Sequence, residues 1–442
     1  MILFALSLAL SVQAQNAEPA PRHITLREAV QLALKQNHFA RIAELKVQEK
    51  EHAKDVAHSG YLPQIQNESS LFHVTDTQFI QIAQGSLGTV AGTPIPEQPV
   101  TLNQGGRTLV VSGTGLVQPI TQLFTKVKPA NDIARADLNA SRENAKDTEN
   151  QIALKVHELY YGVLITQLHK EASEAKIRAA GALKSERTHQ VKYGSALDQD
   201  LIESSAQYLE AKQELLTTEL QLSNFVMQLD DALGLPVTTQ VELEPAPVEE
   251  MQSCAREECV KAALQSHPQI VAAREEVQKA SANVKLSKAD YVPDLSAFAR
   301  YSYSDQVPFL ARNFGTFGVQ FTYNIFDGGH RRAALEESNT KLTEAKENLA
   351  RVTEDVELQV QIAYNKLQRT REMVHVSEEL LSLRSESSRV MAQQLQKGEA
   401  LQSQSDRAIA QKLDANTLLL QSQLDYVQAS DELTEAMGLT PQ

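Results

Sequence analysis

Two stretches of the chain carry apolar residues at helical spacing with almost no helix breaker. Between 331 and 397 there is neither Gly nor Pro, and between 130 and 193 there is no Pro and only Gly162 and Gly181. Each stretch predicts one helix of about 65 residues, near 100 Å long at about 1.5 Å per residue. In the second, Leu335, Leu342, Leu349, Val356 and Ala363 repeat every seven residues, and the seam restarts at Val360, Leu367, Val374 and Leu381. Seven-residue spacing predicts a left-handed supercoil, and the four-residue offset predicts a stutter that locally unwinds it. Such a seam needs neighbours of similar length. Helices predicted at about 26–59 and 198–234, and at about 256–289 and 401–438, each total roughly 70 residues when stacked end to end, matching one long helix. Gly194 and Gly398 stand where a long helix ends and a return begins, as C-cap glycines do. They mark two hairpin tips at one end of a wall of helices.

Elsewhere the period changes from helical to two. Phe317, Val319, Phe321, Tyr323 and Ile325 alternate with small or polar residues, and so do Leu295, Ala297, Ala299, Tyr301 and Tyr303. Runs of about ten such residues suit a strand that crosses a bilayer at a tilt. Matching first-half segments, about 62–75 and 108–120, are weaker, with Leu109, Val111 and Val117 on one face. Alternation alone leaves two readings open, a membrane-spanning sheet and a small soluble sheet packed on helices. The tyrosines favour the former, because aromatic girdles sit at membrane interfaces. Four strands cannot close a barrel, and an open sheet edge is not tolerated in lipid. Several chains would therefore share one barrel, two giving eight strands and three giving twelve. Physics alone does not choose between them.

The text is also written twice. Glu28-Ala-Val-Gln-Leu-Ala-Leu lies over Glu258-Cys-Val-Lys-Ala-Ala-Leu at a shift of 230, which also places Tyr61-Leu-Pro over Tyr291-Val-Pro. Tyr193-Gly-Ser-Ala-Leu lies over Lys397-Gly-Glu-Ala-Leu at 204, as does Ala232-Leu-Gly-Leu over Ala436-Met-Gly-Leu. The same signals in the same order predict a duplication. The first repeat is expected at 15–235 (helix, two strands, long helix, return helix), a connector at 236–256 and the second repeat at 257–442. The extra residues of the first half fall at roughly 80–107, a Gly-, Pro-, Thr- and Gln-rich stretch read as an extended loop.

Composition bounds the function. Lys and Arg number 42 against 56 Asp and Glu, a net charge of −14 that argues against nucleic acid as a partner. Residues 1–14 form an apolar run ending in Val12-Gln13-Ala14, which reads as a secretory signal peptide cut after Ala14. No other stretch approaches 18 apolar residues, so no transmembrane helix is expected in the mature chain. The 11 histidines show no ligand spacing, and no nucleophile motif or paired catalytic carboxylates appear. No enzyme, metal site or cofactor is expected. Asp327-Gly328-Gly329 resembles a phosphate loop only superficially and reads as a strand-to-helix turn. Cys254 and Cys259, five positions apart at the entry to a helix, form either a small disulfide loop in an oxidising compartment or two free thiols.

With these motifs in order, the chain resembles the TolC-like outer-membrane efflux and secretion channel family. The resemblance is carried by the duplicated openings at Leu26–His38 and Glu257–Pro268, by Tyr61-Leu-Pro and Tyr291-Val-Pro ahead of strands, and by Tyr323-Asn-Ile-Phe-Asp-Gly-Gly before a long helix. The tip motif Tyr193-Gly-Ser-Ala-Leu-Asp-Gln-Asp-Leu and the helix ends Leu233-Gly-Leu-Pro and Met437-Gly-Leu complete it. It covers nearly the whole mature chain.

The resemblance implies a mainly α fold with a transmembrane β part. A long coiled-coil helical barrel would be joined to four strands per chain in a shared trimeric β-barrel. It implies a homotrimer in the outer membrane with a long periplasmic extension, working as a passive efflux or secretion channel with a periplasmic adaptor and an inner-membrane transporter. The adaptor-docking tip it implies comprises Tyr193, Gly194, Leu197, Lys397, Gly398 and Leu401. Asp198, Asp200, Glu203 and Asp406 are candidate pore-mouth charges, against the plainer reading of each as a solvated helix face. The second half departs from the family: Gln404 and Arg407 follow Gly398 where some members carry acid, and Leu395 and Ala400 supply no polar gate link. The competing function is an exported periplasmic coiled-coil adaptor or structural protein. Such an adaptor needs one helical hairpin and no barrel-like strands.

Overall fold

The computed structural model describes residues 22–75, 79–103, 108–236, 241–244, 255–305 and 311–440. The expected signal peptide, Cys254 and most of the expected connector lie outside these residues. In chain order the elements are β1 (Arg22–Ile24), α1 (Leu26–Gln36), α2 (His38–Ser59), β2 (Gln64–His73), β3 (Phe79–Ile82), β4 (Thr89–Val90), β5 (Thr93–Pro94), β6 (Val100–Asn103) and β7 (Thr108–Pro119). A single turn, α3 (Ile120–Gln122), leads through a wide turn at Leu123–Val127 into α4 (Lys128–Lys192) and then α5 (Asp198–Ala232). The second half follows with β8 (Val241–Leu243), α6 (Arg256–Ser266), α7 (Pro268–Ala289), β9 (Asp294–Asp305), β10 (Asn313–Thr322), α8 (His330–Gln396) and α9 (Gln402–Ala436). The described residues fall into two compact units, one within Met1–Val47, Ser141–Ala272 and Ala350–Gln442, the other within Gln48–Ala140 and Ala273–Leu349.

Element lengths repeat. Helices α1 and α6 have 11 residues each, α2 and α7 have 22, and α5 and α9 have 35. Their starts differ by 230, 230 and 204 positions. The caps repeat as well. The Glu28 carboxylate accepts the Thr25 N–H at 3.1 Å, and the Glu258 carboxylate accepts the Ala255 N–H at 3.4 Å. Each satisfies one of the donors left open at a helix start.

Two expected helices are each broken. The predicted helix over 26–59 divides at Asn37, whose extended backbone (ψ 131°) ends α1. Asn37 then spends its side chain on the joint, donating from Nδ2 to the Ala232 carbonyl at 3.1 Å and accepting the Phe39 N–H at 2.8 Å. The helix over 256–289 divides in the same way at His267, and Pro268 opens α7. Proline is favoured at a first helical position because it has no N–H to satisfy there. The ends of α5 and α9 abut these joints. A Cβ on Gly234 would stand 3.1 Å from the Gln36 carbonyl oxygen, and one on Gly438 would stand 2.8 Å from the His267 Cα.

In the first unit the long helices share one seam. The residues buried on α8 are Val356, Val360, Ala363, Leu367, Thr370 and Ser377. Their counterparts 204 positions earlier on α4, namely Ile152, Val156, Leu159, Val163, Thr166 and Ser173, are buried too. Helix α9 buries two heptad stripes. Ser403, Ala410, Thr417 and Leu424 form one, and Ala408, Ala415, Ser422, Ala429 and Ala436 form the other. The first meets α4, where the Thr417 hydroxyl lies 3.5 Å from the Leu168 carbonyl. The second meets α8, where the Ser422 and Ser377 hydroxyls are 2.9 Å apart. Small residues on both stripes let one helix fit closely between two others. The apolar core gathers around Tyr160, whose hydroxyl donates to the Glu244 carbonyl at 2.6 Å with the Ile24 carbonyl at 3.0 Å. That hydroxyl ties α4 to the parallel pair β1–β8, which the sequence reading did not anticipate. Burial pushes its pKa up to about 12.

In the second unit four strands form one antiparallel sheet in the order β10-β9-β7-β2. The stretch read as an extended loop at 80–107 carries two small antiparallel pairs instead, β3 with β6 and β4 with β5. The turn Asp327-Gly328-Gly329 leads into α8. Gly328 and Gly329 have φ of +66° and +89°, and the Asp327 carboxylate accepts the Gly329 and Arg331 N–H groups.

Candidate functional site

The two hairpin tips share one construction. Gly194 (φ +72°) and Gly398 (φ +76°) adopt the left-handed conformation that lets a helix reverse at little steric cost. The following N–H groups reach back, Ser195 to the Gln190 carbonyl and Glu399 to the Gln394 carbonyl, closing a Schellman turn. Beyond each glycine, Leu197 and Leu401 precede a return helix. Tyr193 and Leu197 are 78% and 72% exposed, and Leu401 is 49% exposed. Lys397 is exposed.

The candidate charges separate into different situations. Asp198 is exposed. The Asp200 carboxylate accepts the Leu197 N–H at 3.1 Å, so it caps α5, and Gln404 does the same for Leu401 at 3.0 Å. Glu203 accepts from the Gln207 side chain at 3.1 Å, and Asp406 accepts from Gln402 at 2.9 Å. Asp200, Glu203 and Leu401 line one cleft of about 270 Å³, which Asp198 and Asp406 do not join.

The cleft also contains residues that the sequence reading missed. Glu186 on α4 accepts a hydrogen bond from the Ser403 hydroxyl on α9, and Arg187 lines the same space beside Arg407, which the sequence had already marked. Glu186 and Ser403 thus supply a polar tie between the two hairpins that Leu395 and Ala400 lack.

In the sheet, register fixes the faces. Ile65, Leu116, Ala299 and Phe317 stand in one row, so Ile65, Leu71, Val110, Leu116, Tyr301, Phe317, Val319 and Phe321 share a face. Phe317, Val319 and Phe321 are 88%, 65% and 67% exposed. Leu109, Val111 and Val117 share a face as expected, but it is the opposite one. There they join Glu68, Arg300, Ser302 and Gln320. The motif tyrosines Tyr291 and Tyr323 converge on one cation. The Arg331 guanidinium lies 5.3 and 5.6 Å from their ring centres, and its Nε donates to Asp327 at 2.6 Å.

Cys259 is buried on α6 and is disulfide-bonded, while Cys254 lies outside the described residues. No described helix is long and apolar enough to cross a membrane.

Residues 259–439 match the family model described as outer membrane efflux protein. The alkaline protease secretion protein AprF of Pseudomonas aeruginosa is 22% identical over 264 residues, 58% of this chain and 54% of AprF. The outer membrane efflux protein BepC of Brucella suis is 24% identical over 274 residues, 58% of this chain and 57% of BepC. The chain thus spans about half the length of the curated relatives it matches. Among solved structures, the Campylobacter jejuni CmeC outer membrane channel is similar with a TM-score of 0.77 at 14% identity, covering 93% of this chain and 85% of that one. The chain has the TolC-like outer-membrane channel fold over nearly its whole length, and its second half matches the outer membrane efflux protein family in sequence.

Proposed function

We propose that the chain is one protomer of a passive outer-membrane channel for efflux or secretion. Three copies share a twelve-stranded barrel, and their helices form a tunnel that extends into the periplasm. A periplasmic adaptor and an inner-membrane transporter supply the cargo and the energy, and the chain itself carries out no catalytic step. The observation that carries this reading is the sheet β10-β9-β7-β2, whose two outer strands each pair on one side only among the described residues. An apolar sheet face with open edges is not stable in lipid, and pairing β2 of one copy with β10 of the next removes every edge. Bacterial barrels begin at about eight strands, so a single copy is too small.

The duplication supports the same closure. Helix α9 sits between α4 and α8, whereas α5 buries only the counterpart of the second stripe (Ser204, Ala211 and Thr218) and leaves that of the first, including Leu220 and Met227, open. Helix α8 leaves Ile362, Val376, Leu383 and Val390 open at multiples of seven residues. These are counterparts of the surfaces that meet between α9 and α4. A head-to-tail contact of α8 on one copy with α5 on the next repeats that packing and closes a ring.

The adaptor docks at Tyr193, Gly194, Leu197, Lys397, Gly398 and Leu401, where exposed apolar side chains flank a fixed turn. Asp198 and Glu203 contribute acid at the mouth, and the Glu186–Ser403 tie holds it shut. Cys254 and Cys259 close a small loop at the entry to α6.

Cysteine pairs across the protomer boundary test the assembly. A cysteine at Gln66 of β2 is combined in turn with one at Gly318, Gln320 or Thr322 of β10. Oxidation in membranes should give covalent dimers and trimers for at least one register. Monomers alone at every register would refute the shared barrel.

A further inference from the structure

The four sheet strands carry two charged side chains away from their ends, Glu68 in β2 and Arg300 in β9. Both lie on the face opposite the exposed Phe317, Val319 and Phe321. Glu68 stands directly across from Gly113 of β7, and Gly113 directly across from Ser302 of β9. Arg300 belongs to the next row on that face, opposite Gly115, yet its side chain leans into the Gly113 row. Its Nη2 and Nε lie 2.6 and 2.7 Å from where a Gly113 Cβ would stand. A side chain at position 113 would push that guanidinium aside, so the bare backbone of Gly113 forms its bed. From there Nη2 lies 4.0 Å from the Glu68 carboxylate. That is a loose pair, with both side chains about half exposed or more, so neither charge is fully neutralised by the other.

We propose that Arg300 and Glu68, set across Gly113, form a charged collar inside the barrel that discriminates passing solutes by charge, with Arg300 favouring anionic groups. The inference rests on the shared barrel proposed above, which puts the face bearing both charges toward the water-filled lumen and repeats the pair in each copy. A lipid-facing charge in mid-strand is destabilising, whereas a lumen-facing charge tunes selectivity. Apart from Glu68 and Arg300, the strand residues on this face are small, polar or apolar except for Asp294 at the far end of β9, so the pair sets the local potential around the Gly113 row.

Ser302, across from Gly113, is the reporter position. In the full-length chain reconstituted in liposomes, Ser302→Cys is modified with an anionic or a cationic methanethiosulfonate, and the two rates are compared. The unsubstituted chain gives the background. Adding Arg300→Gln should lower the anionic-to-cationic rate ratio by about threefold or more at about 10 mM salt, where unit charges a few ångströms apart are poorly screened. Adding Glu68→Gln should raise the ratio. Gly113→Val, which displaces the guanidinium without removing it, should shift the ratio in the direction of Arg300→Gln. A reactive Ser302→Cys whose ratio ignores Arg300→Gln and Glu68→Gln would overturn the collar while leaving the barrel standing. An unreactive Ser302→Cys beside a Phe317→Cys that both water-soluble reagents modify would overturn the barrel reading and the collar together.

Discussion

Leu220 on α5 and Leu424 on α9 occupy equivalent positions 204 residues apart, yet Leu424 is 8% exposed and Leu220 is 63% exposed. The difference lies in the neighbours. Leu424 belongs to the core cluster with Val156 and Leu159 of α4, while Leu220 has no such cover among the described residues of its own chain. In the proposed ring that cover is α8 of the next copy. Burying a leucine stabilises by about 1.5–3 kcal/mol, and a carboxylate there would be taken out of water without a partner. Leu220→Glu should therefore leave the helical circular dichroism intact while shifting the native mass in detergent from trimer to monomer. A Leu220→Glu trimer as stable as the parent would remove α5 from the interface.

The tie between Glu186 and Ser403 makes the tip a testable latch. Hydrogen bonds to charged groups contribute about 1.5–3 kcal/mol, so losing one in each copy should favour opening on the order of tenfold or more. Ser403→Ala and Glu186→Gln should each raise the open probability of single channels in a planar bilayer. Asp200→Asn, by contrast, weakens the α5 cap and is expected to lower stability slightly. Gating unchanged in both tie variants would reduce the contact to ordinary helix packing.

Asp230 is fully buried near the end of α5, and neither carboxylate oxygen has a hydrogen-bond partner among the described residues. Desolvation raises its pKa from 3.8 to about 6. A raised carboxylate pKa means that the native state holds its proton more tightly than the unfolded chain does. Its contribution is therefore full below about pH 4 and is lost as pH rises through about 6. At neutral pH Asp230→Asn should stabilise the fold by about 1–3 kcal/mol, with the gain shrinking toward pH 4. Denaturant titrations of both proteins at pH 4.5 and pH 7.5 check this. An equal difference at the two pH values would contradict it.

Gly438 combines a φ of +79° with a backbone neighbour only 2.8 Å from any Cβ. Neither the left-handed backbone nor the His267 main chain can yield cheaply. Gly438→Ala should lower stability by about 1–3 kcal/mol. Gly398→Ala, with the same backbone hand but open space around it, should cost less. Thermal melts of the two variants side by side give the comparison, and equal losses would mean that the close approach to α7 is unimportant.

The long helices were legible because nothing between 331 and 397 interrupts a heptad seam, and α8 runs from His330 to Gln396. The turns at Gly194 and Gly398 were legible because only glycine reverses a helix there without strain. The joint at His267 was marked by the proline after it, but Asn37 acts through a side-chain bond to Ala232, 195 residues away, which no local pattern reveals. The same holds for Glu186, whose partner Ser403 is 217 residues distant, and for β1–β8, three residues on each strand. Charge alone did not reveal that Asp200 also caps α5. Its spacing after Leu197 is that of a helix cap, and the duplicated Gln404 fills the same place without charge.

The measurement that tests the central claim most directly is conductance of the purified, detergent-extracted mature protein in a planar lipid bilayer, with the oligomer mass measured on the same sample. A passive shared barrel predicts discrete current steps from a trimer, made more frequent by Ser403→Ala. A water-soluble monomer that gives no steps, with or without that substitution, would contradict the channel and leave the exported coiled-coil protein as the better account.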